Sequence, residues 1–236
     1  MKEELINVVR EIRNIIECYK EIDLMPLISA ETARYLRGET EMEHKILGSI
    51  NDLGKLRNHI GDCIRCKLHV NRQNIVFGEG DPDAELVFIG EAPGREEDME
   101  GRPFVGEAGR LLTRIIKAMG LDRGDVYICN IVKCRPPRNR DPEPDEIEAC
   151  LPFLKAQIRI IQPKVICTLG RIAAQSLLGK DFKITRQRGD WHSYMGIPLM
   201  PTFHPAYLLR NPSQKRVVWE DIKKIMERLG LNDKNM

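Results

Sequence analysis

Cys63 and Cys66 form a C-x2-C pair, and after a long gap Cys134 and Cys150 bracket a proline- and arginine-rich stretch. Paired cysteines of this kind point to a metal centre. A self-contained zinc module would close both pairs within about 20 residues. Here the four cysteines would instead tie the start of a globular domain to its middle. Closing so long a loop costs roughly 4 kcal/mol of chain entropy, which a bound metal offsets. The other cysteines read differently. Cys18 falls in a helical repeat, and Cys129 and Cys167 lie inside the apolar runs VYICNIV and KVICTLG, where cysteine acts as a small core hydrophobe.

A second group supplies acid, amide and imidazole. Glu91 lies in GEAPGREEDMEGRPFVGEAG, which spans Gly90 to Gly109 and holds Phe104. Asn130 ends VYICN, just ahead of the basic segment KCRPPRNRDP, and His204 sits in TFHPAYLLRNP. Repeated glycines let backbone N–H groups approach a ligand closely, yet the loop lacks the lysine and Ser/Thr of a P-loop and does not match the dinucleotide fingerprint. An Asn carboxamide presents a donor and an acceptor side by side, matching the edge of a pyrimidine. An aromatic wall stacks on a flat base, and a histidine can donate to a carbonyl oxygen that gains negative charge. The set suits a small planar polar heterocycle.

These residues need a scaffold that brings three loops together. From Glu85 onward short β-rich runs (Leu86 to Gly90, Val126 to Val132, Val165 to Gly170, Leu199 to Phe203) alternate with helical patterns (Gly109 to Met119, Asp145 to Ile161, Ile172 to Leu178, Ser213 to Leu229). That alternation predicts a parallel α/β sheet, whose ligands bind at the carboxyl ends of the strands. Glu91, Asn130 and His204 then emerge on one edge. Asp145 is the expected N-cap of its helix, and Gly179 and Gly230 are expected C-caps. Upstream, Leu5, Val8, Val9, Ile12, Ile15, Ile16 and Tyr19 repeat with helical spacing, and a second helix is expected from Met42 to Ile60. The segment Met25 to Thr40 suggests no element. The expected division is a helical extension over residues 1–45 and a catalytic domain over 46–236.

The chain has 236 residues and a formal net charge of +2, so nucleic-acid binding would rest on local patches. Three stand out: Lys133, Arg135, Arg138 and Arg140; Lys183, Arg186 and Arg188; and Arg210, Lys215 and Arg216. No signal peptide and no apolar run of about 18 residues is present, which predicts a soluble intracellular protein where cysteine clusters mean metal or catalysis more often than disulfides. A charged fraction of 31% would suit a heat-adapted protein.

The motifs GEAPG, EED, GRPFVG, NIVKCRPP and HPAYLL, in that order and with four cysteines at these spacings, resemble the family 4 uracil-DNA glycosylases, the iron-sulfur type found largely in thermophiles. The resemblance covers about residues 55–229. It implies a three-layer α/β/α fold around a four-stranded parallel sheet and a 4Fe-4S cluster on Cys63, Cys66, Cys134 and Cys150. It also implies that Phe104 stacks on uracil, Asn130 reads it, and His204 is the motif histidine. Glu91 and Ala92 would face the sugar and an attacking water, and Asn139 matches a further loop position. Ala92 stands where some members have glycine. A sister group binds uracil covalently through a histidine in a KRRIH insertion. The loop after Cys134 reads RPPRNRDPEPDE and has no such histidine.

The implied reaction flips uracil from DNA and hydrolyses its glycosidic bond. Arg135, Arg138, Arg140 and Arg210 would grip phosphates, and Tyr207, Leu208 or Leu209 would fill the vacated stack. Glu91 is the candidate general base, with Glu97 and Asp98 as competitors. The expected partner is uracil-containing DNA, met by a monomer in the cytoplasm at the nucleoid, with no membrane; a replication or repair protein could engage the N-terminal helices. Two other readings stay open at this point: a non-enzymatic iron-sulfur or zinc module that binds nucleic acid, and a glycosylase for another deaminated base such as hypoxanthine.

Overall fold

The computed structural model describes residues 39–231. The first helical repeat, Cys18 and most of the expected extension lie outside them. The described residues fall in two compact units, the first ending at Ser49 and the second starting at Ile50.

In the first unit, helix α1 spans Glu39–Ser49, and Ser49 Oγ donates to the Ile46 carbonyl at 2.8 Å. The single helix expected from Met42 to Ile60 is two helices. Helix α2, Leu53–Ile60, starts afresh in the second unit because Asp52 adopts extended backbone and its Oδ1 accepts from Lys55 N at 2.8 Å, an N-cap that competes with helix continuation.

The rest of the second unit is built on one sheet. Its strands are β1 (Glu79–Gly80), β2 (Leu86–Gly90), β3 (Tyr127–Asn130), β4 (Val165–Leu169), β5 (His192–Tyr194) and β6 (Ile197–Thr202). The spatial order is β1-β3-β2-β4-β6-β5. The inner four are parallel, and the two short edge strands are antiparallel. The expected four-stranded parallel sheet is thus the centre of a six-stranded mixed one. β1 is too short to leave a pattern, and β5 pairs with β6 through a two-residue turn, Met195-Gly196, with both φ positive (52 and 78). A methionine there hides the Asn-Gly signal by which such hairpins are read.

Helices α3 (Arg95–Glu100), α4 (Glu107–Ala118), α5 (Pro144–Ile161), α6 (Arg171–Leu178), α7 (Ile184–Gln187), α8 (Pro205–Arg210) and α9 (Lys215–Leu229) complete the fold. Alternation along the strands sorts the core into two layers. Leu86, Phe88, Ile128, Cys167 and Met200 face α4 and α9 through Leu112, Ile116, Ile222 and Ile225. Val87, Ile89, Cys129, Ile166 and Leu199 face α5 and α6 through Leu154, Ile158 and Ala173. Cys129 and Cys167 are core residues, as their apolar surroundings predict. Gly179 and Gly230 close α6 and α9. Asp145 is not the cap of α5: Glu143 holds that position, Pro144 starts the helix, and Glu146 Oε2 accepts from Glu143 N at 2.8 Å. Proline at the first helical turn lacks the N–H that a cap would satisfy, which moves the start upstream.

Candidate active site

All three predicted strand ends meet at the carboxyl edge. Gly90 pairs with Asn130, and Thr202, two residues before His204, pairs with Leu169. The site lies where the chain leaves β3 on one side of β2 and crosses to β4 on the other, the position at which open parallel sheets leave a crevice. A cavity of about 530 Å³ opens there, lined among others by Glu91, Ala92, Phe104, Asn130, Asn139 and His204.

Asn130 is 1% exposed, and its Oδ1 has no hydrogen-bond partner. A buried amide oxygen left unpaired costs about 1–3 kcal/mol, so its persistence at a cavity wall calls for a donor from a ligand. Phe104 packs beside it. A Cβ on Gly90 would come within 2.4 Å of both Asn130 Oδ1 and Phe104 Cζ, so glycine at the end of β2 permits their approach. The Phe104 and His204 rings lie 5.7 Å apart at 32°.

His204 caps α8 with its own ring: Ala206 N donates to Nδ1 at 3.1 Å. An accepting Nδ1 leaves the proton of a neutral ring on Nε2. Burial, reinforced by Arg210, pushes the histidine down to about 4, so the ring stays neutral near pH 7. It is a donor without being a cation.

Glu91 is displaced the other way. Burial first, then Asp141, raises its carboxyl to about 7, against the opposing charge of Arg171. Arg171 Nη2 pairs with Asp141 Oδ2 at 2.5 Å. Neither stands out in the sequence, although Arg171 lies two residues past the carboxyl end of β4, where the strand-end rule applies as well. The competing carboxylates hold loops together instead. Glu97 accepts from Gly94 N, Val105 N and Gly106 N at 3.1, 3.0 and 2.9 Å. Asp98, 2% exposed, accepts from Gln73 N and Asn74 N at 2.9 and 3.3 Å. Of the three candidate carboxylates, these two are committed to backbone N–H groups, whereas Glu91 lines the cavity.

The basic patches are thinner than their sequence suggests. Lys133 is fully buried, with Nζ donating to Asn130 O at 2.8 Å and Gln157 Oε1 at 2.6 Å, so it is no phosphate contact. Arg135 Nε donates to Asn139 Oδ1 at 2.7 Å, Arg140 forks onto Glu146 at 2.6 and 2.8 Å, and Arg188 grips buried Asp221. Arg138, Lys183, Arg186, Arg210, Lys215 and Arg216 remain exposed. Among the three side chains considered for insertion, Leu208 is 1% exposed within the core beneath the cavity and is not free to enter DNA. Tyr207 lines the cavity, its ring tilted at 40° and 4.8 Å from that of Phe203, and Leu209 is half-buried. Leu208→Ala is accordingly expected to cost about 2–5 kcal/mol of stability, read as a lowered Tm, with DNA affinity of the folded fraction unchanged.

On the α5 side of the sheet, Cys63, Cys66, Cys134 and Cys150 line one small cavity with Ile60, Ile75, Ala149 and Phe153. They come from the loop after α2, the loop after β3 and the body of α5. Arg65 and Arg72 guanidinium N–H groups approach Cys63 Sγ and Cys134 Sγ at 3.5 and 3.6 Å, and Lys133 N–H points at Cys150 Sγ at 3.3 Å. Burial pushes Cys134 up to about 11 and Cys150 up to about 12, partly offset by Arg72 and Lys133 respectively. Among the described residues, no group of three or more His, Cys, Asp or Glu side chains forms a ready-made cage for a metal ion.

Among the described residues no helix is long and apolar enough to cross a membrane. The family described as "Uracil DNA glycosylase superfamily" matches residues 77–223, which contain all three strand ends of the cavity. A "Type-4 uracil-DNA glycosylase" of Thermotoga maritima is 55% identical over 168 residues, covering 69% of this chain and 86% of that protein. Proteins of the same description from Sulfurisphaera tokodaii and Archaeoglobus fulgidus are 51% and 43% identical, covering 75% and 77% of this chain and 85% and 95% of those proteins. By the family match and these identities, the chain belongs to the uracil DNA glycosylase superfamily.

Proposed function

We propose that this protein excises uracil from DNA in base excision repair, releasing the free base and leaving an abasic site. The observation that carries the reading is the buried, unpartnered Asn130 Oδ1 beside Phe104, in the cavity that His204 also lines. Uracil N3–H would satisfy that oxygen while the carboxamide NH2 donates to O4. Cytosine presents a bare N3 acceptor and an N4 donor, which reverses both partners and leaves buried groups unpaired. Phe104 stacks on the base and, together with the rest of the pocket wall, leaves no room for a 5-methyl group, which excludes thymine. A simple binding module would not need an orphaned acceptor buried in the wall of a pocket.

The base must first leave the duplex, at a cost of a few kcal/mol that is smaller when it is mispaired. Arg138 and Arg210 contact phosphates, Asn139 with Arg135 shapes the rim, and Tyr207 or Leu209 occupies the vacated stack. As the N1–C1′ bond breaks, electrons move onto the uracil oxygens. The neutral His204, its Nε2–H free to donate, stabilises that charge without the cost of burying a cation. Glu91, beside Ala92, holds the water that adds to C1′ and takes up its proton, while the departing base is protonated from solvent. The carboxylate form also offsets positive charge on the sugar.

This assignment fixes the pH dependence. With Glu91 titrating at about 7, kcat/KM is expected to rise tenfold per unit below that pH and to level above it. His204, held at about 4, adds no limb between pH 5 and 9. Glu91→Gln should lower the rate and flatten the profile; an unchanged profile in that variant would remove Glu91 from the mechanism.

The four cysteines fit a 4Fe-4S cluster. They converge from three elements on an apolar cavity, and N–H groups already point at three of the sulfurs. The cluster would cross-link these elements and supply no electrons to a hydrolysis. By holding Cys134 it also holds the loop that carries Arg135, Arg138 and Asn139. The protein is proposed to work as a monomer inside the cell, with the N-terminal segment available to a replication or repair partner. The test of the function is alkaline strand cleavage of matched oligonucleotides bearing one uracil, thymine or hypoxanthine. Cleavage at uracil alone is expected; cleavage at none, by protein with its cluster intact, would leave a binding module.

A further inference from the structure

Phe104 stands in a conformation that a bulky residue rarely adopts. Its φ is +52, in the left-handed region, which costs about 1–3 kcal/mol and persists only where the surroundings dictate it. The next helix packs so tightly on this kink that a Cβ at Gly109 would lie 1.9 Å from the Phe104 carbonyl oxygen. Downstream, the amides of Val105 and Gly106 are tied to Glu97. The carbonyls on the upstream side are held by a residue that contacts neither the base pocket nor DNA in the reading above.

That residue is Arg123, in the 3-10 turn Arg123–Asp125 before β3. Its Nη2 donates to Pro103 O at 2.8 Å, and its Nη1 donates to Phe104 O at 3.1 Å and to Thr113 Oγ1 at 3.2 Å. Its Nε and Nη2 donate to Glu79 Oε1 at 3.0 and 2.5 Å. Glu79, on edge strand β1, is in turn gripped by Arg102 Nε at 2.8 Å. Burial alone would raise the Glu79 carboxyl, but the hydrogen bonds and charge of Arg102 and Arg123 together hold it below its usual range. The five N–H donors of one guanidinium thus span two carbonyls, a hydroxyl and a carboxylate, a geometry that a lysine cannot reproduce.

We propose that Arg123, anchored by Glu79, is a positioning residue for base selection: it fixes the strained Phe104 backbone and so sets the distance between the aromatic wall and the 5-position of the base. The inference rests on the reading of Phe104 as that wall. It also gives the two-residue strand β1 a purpose. β1 places a carboxylate against the turn before β3, so the edge of the sheet reaches the pocket through one ion pair.

Freeing the carbonyls lets Phe104 relax toward ordinary φ, and its ring leaves the position that crowds a 5-substituent. The readout is the ratio of kcat/KM for uracil to that for 5-fluorouracil, 5-bromouracil and thymine at the same site in DNA. Both substrates report on the same folded fraction, so a merely destabilised enzyme leaves the ratio unchanged. Arg123→Gln is expected to lower the uracil-to-bromouracil ratio by about 10-fold or more, the scale on which one small apolar group is discriminated. Glu79→Gln is expected to lower it less. Arg123→Lys should restore only part of the wild-type ratio. In a Phe104→Leu background Arg123→Gln should change the ratio no further, because the two act through one ring.

Should Arg123→Gln fail to fold, Glu79→Gln and Arg123→Lys carry the same comparison. A ratio unchanged in the Arg123 and Glu79 variants, with Phe104→Leu lowering it, overturns the clamp and leaves Phe104 as the wall. A ratio unchanged in Phe104→Leu itself overturns the reading of Phe104 and the clamp with it.

Discussion

Asn130→Asp is expected to reduce kcat/KM for uracil excision by about 10³-fold, with little change in Tm. The magnitude follows from two losses that act together. Removing one donor to a developing oxyanion costs about 10² to 10³ in rate. A pocket built to pair a particular polar edge rejects the wrong partner by still larger factors when buried groups go unpaired. Asp keeps the shape of Asn but replaces the carboxamide NH2 with oxygen. The O4 of uracil would then meet an acceptor, and the departing anion a carboxylate. The fold should tolerate the change, because Oδ1 of Asn130 is unpartnered within the protein and Lys133 binds the backbone carbonyl. Single-turnover excision on a uracil oligonucleotide, with a thermal melt on the same sample, separates the two effects. An enzyme that cleaves at the wild-type rate would show that the amide does not read the base.

The parallel core of this fold was legible because its strands are buried on both faces. Leu86 to Gly90 and Val165 to Leu169 are fully buried, so they stand out as apolar runs between amphipathic helices. The site was legible for the related reason that a parallel sheet delivers successive strand ends to one edge. Polar residues directly after apolar runs, such as Glu91 and Asn130, are therefore conspicuous. What stayed hidden was held by interactions with no periodicity. Strand β1 has two residues, and its role lies in one ion pair between Glu79 and Arg123 across distant segments. Lys133 looked like part of a basic patch because its neighbours in sequence are arginines. The Asn130 carbonyl and Gln157 on α5 draw it inward instead. Leu208 looked as free as Tyr207 and Leu209, yet helix α8 turns it into the core. One-dimensional charge or hydropathy cannot report which way a short loop helix faces.

The same distinction governs the strongest effect expected in this protein. Cys134→Ser should abolish a visible absorption band near the blue end of the spectrum and lower Tm by about 10 °C. As the proposed ligands of one cluster, the four cysteines would join the loop after α2, the loop after β3 and the middle of α5, segments far apart in sequence whose closure in the unfolded chain costs roughly 4 kcal/mol. In a domain of this size each kcal/mol moves Tm by about 2–4 °C. The apolar walls of Ile60, Ile75 and Phe153 do not replace that link, because the thiols they surround are desolvated and mutually repelling once ionised. Serine removes a soft ligand while keeping the volume, so the loss is that of the cross-link and not of packing. Activity should fall with it, through the loop that carries Arg138 and Asn139 and through Lys133, whose amide faces Cys150 while its ammonium holds the carbonyl of Asn130. Purified wild-type protein that is colourless and contains zinc would replace the iron-sulfur assignment. A Cys134→Ser variant with wild-type Tm would separate the cysteines from the stability of the fold altogether.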